Sequence, residues 1–208
     1  MWANVAMPPE LTTFVQHSAW PSWRVWWTAI RPRTLTIALT PVLLGTALAW
    51  ADGFAKHWAP ALVALACAVL IQIGTNLHND VRDFERGNDR PDRVGPLRVT
   101  AAGWVSTAAM HRATALTFGL AMLLGLYLVV HGGWPILLAG LASVLAGWSY
   151  SGGRHPISHT PFGEVFVLVF FGWVAVMGSY WLQTAQLSVN AWLCGTALGL
   201  PAAAVLLV

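Results

Sequence analysis

Long apolar runs alternate with short polar segments along the sequence, and this pattern predicts a bundle of membrane-spanning helices. A helix needs about 20 mainly apolar residues to cross the hydrocarbon core of a bilayer. The six predicted spans are residues 35–50, residues 58–77, residues 113–130, a run after the turn at 131–135 that ends near Tyr150, residues 165–182, and a run that begins near Ala191 and continues to Val208. The expected fold class is therefore all-α, a polytopic transmembrane bundle with about six spans.

The composition supports this interpretation. The chain has 208 residues, of which 57% are hydrophobic and 9% are charged, which is too apolar for a soluble domain. We expect a polar arm and a tryptophan-rich interfacial segment over residues 1–25, followed by one membrane domain over 26–208, surrounded by lipid. The net charge is +3, but the arginines flank apolar runs and form no basic patch, so no nucleic-acid partner is expected.

The arginines indicate the orientation of the chain in the membrane. In the six-span topology, all of them fall in the N-terminal arm, the 79–112 segment and the 151–164 loop, which share one side, while the opposite loops carry Lys56. Loops rich in arginine and lysine stay on the cytoplasmic side. We therefore expect an integral membrane protein in which these segments face the cytoplasm.

The charge is concentrated between the second and third predicted spans. Residues 76–103 carry five of the eight acidic residues and five of the arginines. These ten residues are Asp80, Asp83, Glu85, Asp89 and Asp92, with Arg82, Arg86, Arg90, Arg93 and Arg98. A carboxylate at a membrane boundary is costly and usually functional.

The start of this segment has the spacing of a helix that ends at Gly87. Spacings of four, four and three place Gln72, Asn76, Asp80 and Asp83 on one face. Asn79 and Asp83 form a second pair. Stacked carboxylates repel one another unless a cation lies among them, and Mg²⁺ completed by substrate phosphates suits such a site, with arginines as forked phosphate ligands. The alternative is a solvated, charge-balanced loop that fixes only the topology.

These residues also resemble a known family. The motifs N-D-V-R-D at 79–83 and G-N-D-R-P-D-R-V-G-P-L-R at 87–98 resemble the first aspartate-rich motif of UbiA-superfamily prenyltransferases. The D-R-x-G-P-L-R variant is most similar to the 1,4-dihydroxy-2-naphthoate polyprenyltransferases of menaquinone synthesis. Further similar blocks are A-I-R-P-R-T-L at 29–35 and the segment 150–172, so the resemblance covers residues 26–208 almost continuously.

The resemblance implies a UbiA-like bundle, Mg²⁺ as the cofactor, and prenyl diphosphate and an aromatic acid as substrates. The implied catalytic residues are Asn79, Asp80 and Asp83, and the implied metal ligands are these three with Asp89. The implied diphosphate ligands are Arg93 and Arg98, with Arg33 and Arg154 as further candidates. Asn76 would support the metal site. Glu164 would bind metal or acceptor, or would stabilise the N-terminus of the fifth span.

The implied reaction transfers a polyprenyl group to 1,4-dihydroxy-2-naphthoate with loss of CO₂, which gives demethylmenaquinone. Two departures from the family pattern stand out. The third acidic residue is Asp89, because Gly87 occupies the position four residues after Asp83, as in the naphthoate branch. Ala101 stands where many relatives carry a polar residue, which weakens the prediction that this position binds the acceptor.

Three alternatives were weighed. The chain could prenylate another aromatic acceptor, or it could be a small transporter with Asp80 and Asp83 as an ion site, although a transporter predicts carboxylates near mid-span. The D-G-x-x-A-R signature of CDP-alcohol phosphotransferases is absent. The resemblance also implies a second aspartate-rich motif on a later loop. We therefore expect the 208-residue chain to be an incomplete catalyst that folds poorly or binds substrate without turning it over, and the natural protein to be longer.

Overall fold

The structure is a computed structural model that describes residues 22–88, 97–153, 156–160 and 162–204. All regular elements in these ranges are helical, which confirms the all-α prediction. They are α1 (Ser22–Ile30), α2 (Pro32–Ala51), α3 (Trp58–Glu85), α4 (Thr107–Gly132), α5 (Trp134–Ser151), a short 3₁₀ helix (Ile157–His159), α6 (Gly163–Val167), a π-helical segment (Leu168–Val174), α7 (Ala175–Thr184) and α8 (Val189–Ala204). The π-helical segment joins α6 and α7 without a break.

Four helices in the described part of the chain are long and apolar enough to cross a membrane, which agrees with an integral membrane protein. They are Pro32–Ala51, Trp58–Glu85, Thr107–Gly132 and Gly163–Thr184. The predicted number of about six spans is not confirmed. Helix α5 has 18 residues but ends in the less apolar sequence W-S-Y-S. The 16 described residues of α8 extend about 24 Å, which is shorter than a hydrocarbon core of about 30 Å.

Helix α1 crosses the predicted boundary between the interfacial segment and the membrane domain at 25/26. Its inner side packs into a core cluster that contains Ala29, Leu77 and Val99. Trp23 and Trp27 lie one turn apart on its outer side and are 63% and 58% exposed. This arrangement agrees with an interfacial helix, because tryptophan is enriched at the boundary between lipid and water.

The break between α1 and α2 follows from Pro32, which occupies the first turn of α2, where its missing N–H costs no hydrogen bond. The preceding residue, Arg31, has a left-handed backbone with φ of 54°. Further along α2, Gly45 allows close contact with α7, because a Cβ atom on Gly45 would lie 2.1 Å from the Val176 carbonyl oxygen. The main chains of α2 and α7 are therefore in direct contact at Gly45.

Helix α3 is the central element and packs against α2, α4 and α5. Its 28 residues extend about 42 Å, so it is longer than a bilayer core is thick. Gly74 makes room for the ring of Phe118 on α4, since a Cβ at Gly74 would lie 3.1 Å from the ring carbons. The extra length of α3 carries its last turns, with the predicted site residues, to one end of the bundle.

A polar network closes the opposite end. Gln183 on α7 accepts hydrogen bonds from Trp50 Nε1 and the His57 backbone N–H, both at 2.9 Å, and donates to the His57 carbonyl at 3.0 Å. The Tyr180 hydroxyl donates to Asp52 Oδ2 at 2.8 Å. These bonds satisfy buried polar groups and fix the loop between α2 and α3 against α7.

Candidate functional site

Five of the predicted site residues lie together at one end of the bundle, which we call the charged end: Asn76, Asn79, Asp80, Asp83 and Arg98. It comprises the start of α2, the end of α3, the loop at 97–106, the end of α5 and the start of α6. Three hydrogen bonds join α3 to its neighbours at this end: one from Asn76 to the Ile30 carbonyl before α2, one from the Val99 amide of the loop to Asp80, and one from Arg86 to the Gly153 carbonyl after α5.

Asp80 is fully buried and anchors the loop at 97–106. Its Oδ2 accepts a hydrogen bond from the Val99 backbone N–H at 3.2 Å, and its Oδ1 accepts one from the Thr100 backbone N–H at 3.1 Å. Both carboxylate oxygens are therefore turned toward the loop. The role of Asp80 as a catalytic residue and metal ligand stays a prediction, while the geometry gives it a clear role in positioning the loop.

The anchored loop presents Arg98 to the two other predicted ligands. Arg98 Nη1 donates to the Asn79 carbonyl oxygen at 2.8 Å and to Asn79 Oδ1 at 3.1 Å, and its Nη2 forms an ion pair with Asp83 Oδ2. Arg98 and Asp83 are only 7% and 9% exposed. One buried guanidinium thus holds an amide oxygen and a carboxylate that lie one helical turn apart on α3. The diphosphate-binding role of Arg98 stays a prediction.

The end of α3 is also fixed to the end of α5. Arg86 Nη2 donates to the Gly153 carbonyl at 2.8 Å, and its Nη1 lies 4.0 Å from Asp83 Oδ1. The His78 ring stacks on Trp148, with ring centroids 4.3 Å apart and an interplanar angle of 21°. Asp83 is therefore flanked by two arginines that are themselves held in place.

Asn76, the predicted supporting neighbour, fastens α3 to the break between α1 and α2. Its Nδ2 donates to the Ile30 carbonyl and to Thr34 Oγ1, both at 2.8 Å, and its Oδ1 accepts from Gln72 Nε2 at 3.2 Å. The side-chain amide is largely occupied by these bonds. Asn76 therefore fixes the turn that contains Arg31.

The structure distinguishes between the two arginines of the R-P-R motif. Arg31 lines the large cavity described below, whereas Arg33, the predicted diphosphate ligand, is exposed and does not line it. The sequence interpretation overlooked Arg31. A usable signal was the proline between the two arginines, because proline starts the helix and leaves the residue before it outside helical geometry.

A cavity of about 780 Å³ runs from the charged end into the bundle. Most of its polar lining lies at the charged end and includes Arg31, Gln72, Asn76, Asn79 and Tyr150, while Ser143 and Ser179 line it further inside the bundle. The remaining lining is mostly apolar and comes from α2, α3, α4, α5, the helix from α6 to α7, and α8. Along α3 the lining extends from Asn79 to Ala64, about 22 Å. The cavity is thus shaped for a molecule with a polar head and a long apolar tail.

Several predicted residues do not line this cavity, including Asp80, Asp83 and Arg98. Glu164 lies in the first turn of α6, where the helix dipole favours a negative charge, but it does not line the cavity. Its role in binding metal or acceptor stays a prediction. Asp89, Arg93 and Arg154 lie outside the described residues.

The donor set agrees in kind with Mg²⁺. Asn79 and Asp83 offer an amide oxygen and carboxylate oxygens, which are the hard ligands that Mg²⁺ binds together with water and phosphate. Within the described ranges, no group of three or more His, Cys, Asp or Glu side chains is placed to hold a metal ion. Asn79 and Asp83 are donors of the kind that Mg²⁺ binds, and Mg²⁺ as the cofactor stays a prediction.

Comparison with known proteins agrees with this geometry. The sequence model of the UbiA prenyltransferase family matches residues 38–208. The chain is similar to 1,4-dihydroxy-2-naphthoate octaprenyltransferases of Escherichia coli K12 (41% identity over 191 residues, 88% of this chain and 61% of the relative), Mycobacterium tuberculosis (39% over 166 residues, 79% and 56%) and Bacillus subtilis (35% over 168 residues, 80% and 53%). The chain thus spans between half and two thirds of the length of these curated relatives. By its sequence match over most of its length, the chain belongs to the UbiA prenyltransferase family.

Proposed function

We propose that the protein transfers a polyprenyl group from a prenyl diphosphate to 1,4-dihydroxy-2-naphthoate, with loss of the carboxyl group as CO₂, and so forms demethylmenaquinol, the reduced form of demethylmenaquinone. The observation that carries this proposal is the cavity, which extends about 22 Å along α3 from a polar end at Arg31 and Asn79 into a mostly apolar interior. A prenyl diphosphate has the same division into charged head and apolar tail. The names of the similar proteins suggest the acceptor and an octaprenyl donor.

The charged end offers complementary groups for a diphosphate. Arg31 provides a planar fork that can bind two phosphate oxygens. Asn79 and Asp83 are the residues that would hold Mg²⁺, which when bound neutralises charge on the departing diphosphate. Arg98 holds the side chains of Asn79 and Asp83 in position before the substrate arrives, which lowers the entropic cost of ordering the site on binding.

The apolar cavity suits the chemistry of an allylic cation. The C–O bond to the diphosphate breaks and its electron pair leaves with the diphosphate. A carbon of the electron-rich acceptor ring then gives an electron pair to the allylic carbon, and the ring regains aromaticity as the carboxylate leaves as CO₂. An apolar lining excludes water, which would otherwise capture the cation and yield a prenyl alcohol.

We also propose that the charged end faces the cytoplasm of a bacterial cell, in the cytoplasmic membrane. Arg31, Arg86 and Arg98 gather at this end, while Lys56 belongs to the loop at the opposite end. Positive charge next to membrane helices favours the cytoplasmic side. Water-soluble acceptor and Mg²⁺ would reach the site from there.

The test is an assay of membranes that contain the protein, with labelled prenyl diphosphate and carboxyl-labelled 1,4-dihydroxy-2-naphthoate. Prenylated product and released CO₂ should form in equal amounts. Asp83→Asn should abolish both, while Glu85→Gln should retain most activity, because Glu85 contacts Arg82 and His111 away from the cavity.

The outcomes separate the alternatives. Prenylation of a different aromatic acid without CO₂ release would replace the proposed acceptor but keep the enzyme class. Normal turnover by Asp83→Asn would contradict the proposed metal site. The absence of any prenyl transfer by the wild-type chain would contradict the proposed activity for these 208 residues and would agree with the expectation that they form an incomplete catalyst.

A further inference from the structure

The helix that runs from α6 to α7 contains a π-helical segment, Leu168–Val174, beside the cavity. A π-helix has more residues per turn than an α-helix, so the angle between consecutive side chains around the helix axis is smaller than the roughly 100° of an α-helix. As a result, two consecutive residues, Phe170 and Phe171, both line the cavity. Such segments occur often at functional sites.

Contacts with α8 fix the rotation of this segment. Gly172 packs against a G-x-x-x-G pair on α8, since a Cβ on Gly172 would lie 2.6 Å from the Gly195 carbonyl oxygen and 3.3 Å from the Gly199 Cα. Trp173 Nε1 also donates to Thr196 Oγ1 at 2.8 Å. Because this side is held against α8, the two phenylalanines remain turned toward the cavity.

Phe166, one turn earlier, extends the same surface. It lines the cavity, and its ring centroid lies 5.6 Å from that of Phe170. We call Phe166, Phe170 and Phe171 the aromatic wall. No tryptophan in the described part of the chain lines the cavity, and the one further aromatic side chain among its described lining residues is Tyr150.

The aromatic wall lies next to the polar end of the cavity. Helix α6 starts at Gly163 at the charged end, and Phe166 and Phe171 follow three and eight residues later, about 5 and 12 Å along the helix. A diphosphate held by Arg31 and Asn79 would place its first, allylic carbon at the beginning of the apolar region. This is the depth of the aromatic wall.

We propose that the aromatic wall stabilises the allylic cation and is the main cation-binding surface of the cavity. This proposal rests on the proposed prenyl transfer. It identifies the residues that stabilise the least stable intermediate of that reaction, the allylic cation. When the C–O bond breaks and its electron pair leaves with the diphosphate, positive charge remains on the allylic carbons. The negative faces of the three rings attract this charge until the acceptor ring supplies an electron pair.

A purely hydrophobic role for the same rings makes a different prediction. Rings that only pack against the prenyl tail contribute through their apolar area, which fluorination of the ring hardly reduces. Rings that stabilise a cation act through their quadrupole, which each added fluorine weakens. A series of fluorinated phenylalanines therefore separates the two roles.

The first experiment measures binding and needs no turnover. Phe170 and Phe171 are each replaced by 4-fluoro-, 3,5-difluoro- and 3,4,5-trifluorophenylalanine in the full 208-residue chain. The probes are a prenyl amine whose ammonium nitrogen replaces the allylic carbon and a neutral hydrocarbon of the same shape, each with inorganic diphosphate and Mg²⁺. Affinity for the ammonium probe should fall stepwise, about tenfold at the trifluoro stage. Affinity for the neutral probe should stay within about twofold.

The matched control is Phe118, a buried phenylalanine of α4 that does not line the cavity. The same substitutions there should leave the ratio of the two affinities unchanged. If the substitutions at Phe170 and Phe171 lower the affinity for both probes equally, the rings only pack against the prenyl tail. An unchanged affinity for the ammonium probe would likewise overturn the proposal.

A second experiment follows the products of the assay described above. Phe171→Leu should lower the turnover number by at least tenfold, with a change in KM of less than threefold, and should increase the fraction of prenyl alcohol formed by water. Unchanged turnover and partitioning would contradict the proposed role of the wall. If the wild-type chain transfers no prenyl group, the prenyl-transfer proposal fails, and selective ammonium binding still decides whether the wall binds cations.

Discussion

Asp80 and Asp83 are neighbours on one helix, yet the structure predicts that substitutions at the two positions have different effects. Asp80→Asn is the informative change, because asparagine keeps the shape of the side chain. It retains one acceptor oxygen and replaces the other by an NH₂ group that faces a backbone N–H. One of the two hydrogen bonds from Val99 and Thr100 is then lost inside a fully buried site.

The magnitude follows from this loss. A hydrogen bond to a charged acceptor contributes about 1.5–3 kcal/mol. Losing one of the two bonds of Asp80 should therefore destabilise the loop at 97–106 by about 2 kcal/mol, which corresponds to a roughly 30-fold larger equilibrium constant for opening of the loop. Arg98 belongs to this loop, so its hydrogen bond to Asn79 and its ion pair with Asp83 should weaken as well.

The assay is hydrogen–deuterium exchange of the 97–106 peptide in detergent, together with prenyl transfer by the same preparations. Asp80→Asn should speed exchange in the loop. Asp83→Asn should abolish transfer with a smaller effect on exchange at Val99 and Thr100. Glu85→Gln is the matched control, because its carboxylate is one third exposed and a surface ion pair contributes at most about 1 kcal/mol. Loop exchange in Asp80→Asn no faster than in Glu85→Gln would refute the reasoning.

Three further predictions test the packing, the cavity mouth and the orientation. Gly45→Ala should lower the thermal stability in detergent by several kcal/mol, since its Cβ would overlap a main-chain carbonyl of α7, whereas Gly178→Ala, which meets open space, should change it little. Arg31→Ala should weaken binding of a prenyl diphosphate, measured by titration, at least tenfold more than Arg33→Ala, because Arg31 lines the cavity and Arg33 is exposed; equal losses would argue against Arg31 as a ligand. A cysteine introduced at Ser158 should resist an impermeant thiol reagent in intact cells, and labelling from outside would reverse the proposed orientation.

The sequence by itself determined the helical class and the location of the charged end. Both depend on local properties, because a helix makes its hydrogen bonds within one segment and apolar length decides whether it can cross a bilayer. The motif at 79–83 likewise carried enough information to indicate the family before any contact was known. The predicted number of about six spans was not confirmed. Helix α5 and the described part of α8 are of marginal length for a membrane span and include residues of mixed polarity.

The tertiary structure decided how the charged side chains divide their roles. Helical spacing places Asp80 and Asp83 almost on one face, but the loop at 97–106 returns to α3 and occupies both oxygens of Asp80. Contacts between residues about 20 positions apart depend on how loops close, which local periodicity does not encode. The same reason applies to Arg31, whose place on the cavity depends on the packing of α2 against α3. It applies also to Phe170 and Phe171, which share the cavity because contacts with α8 fix a wider helical turn.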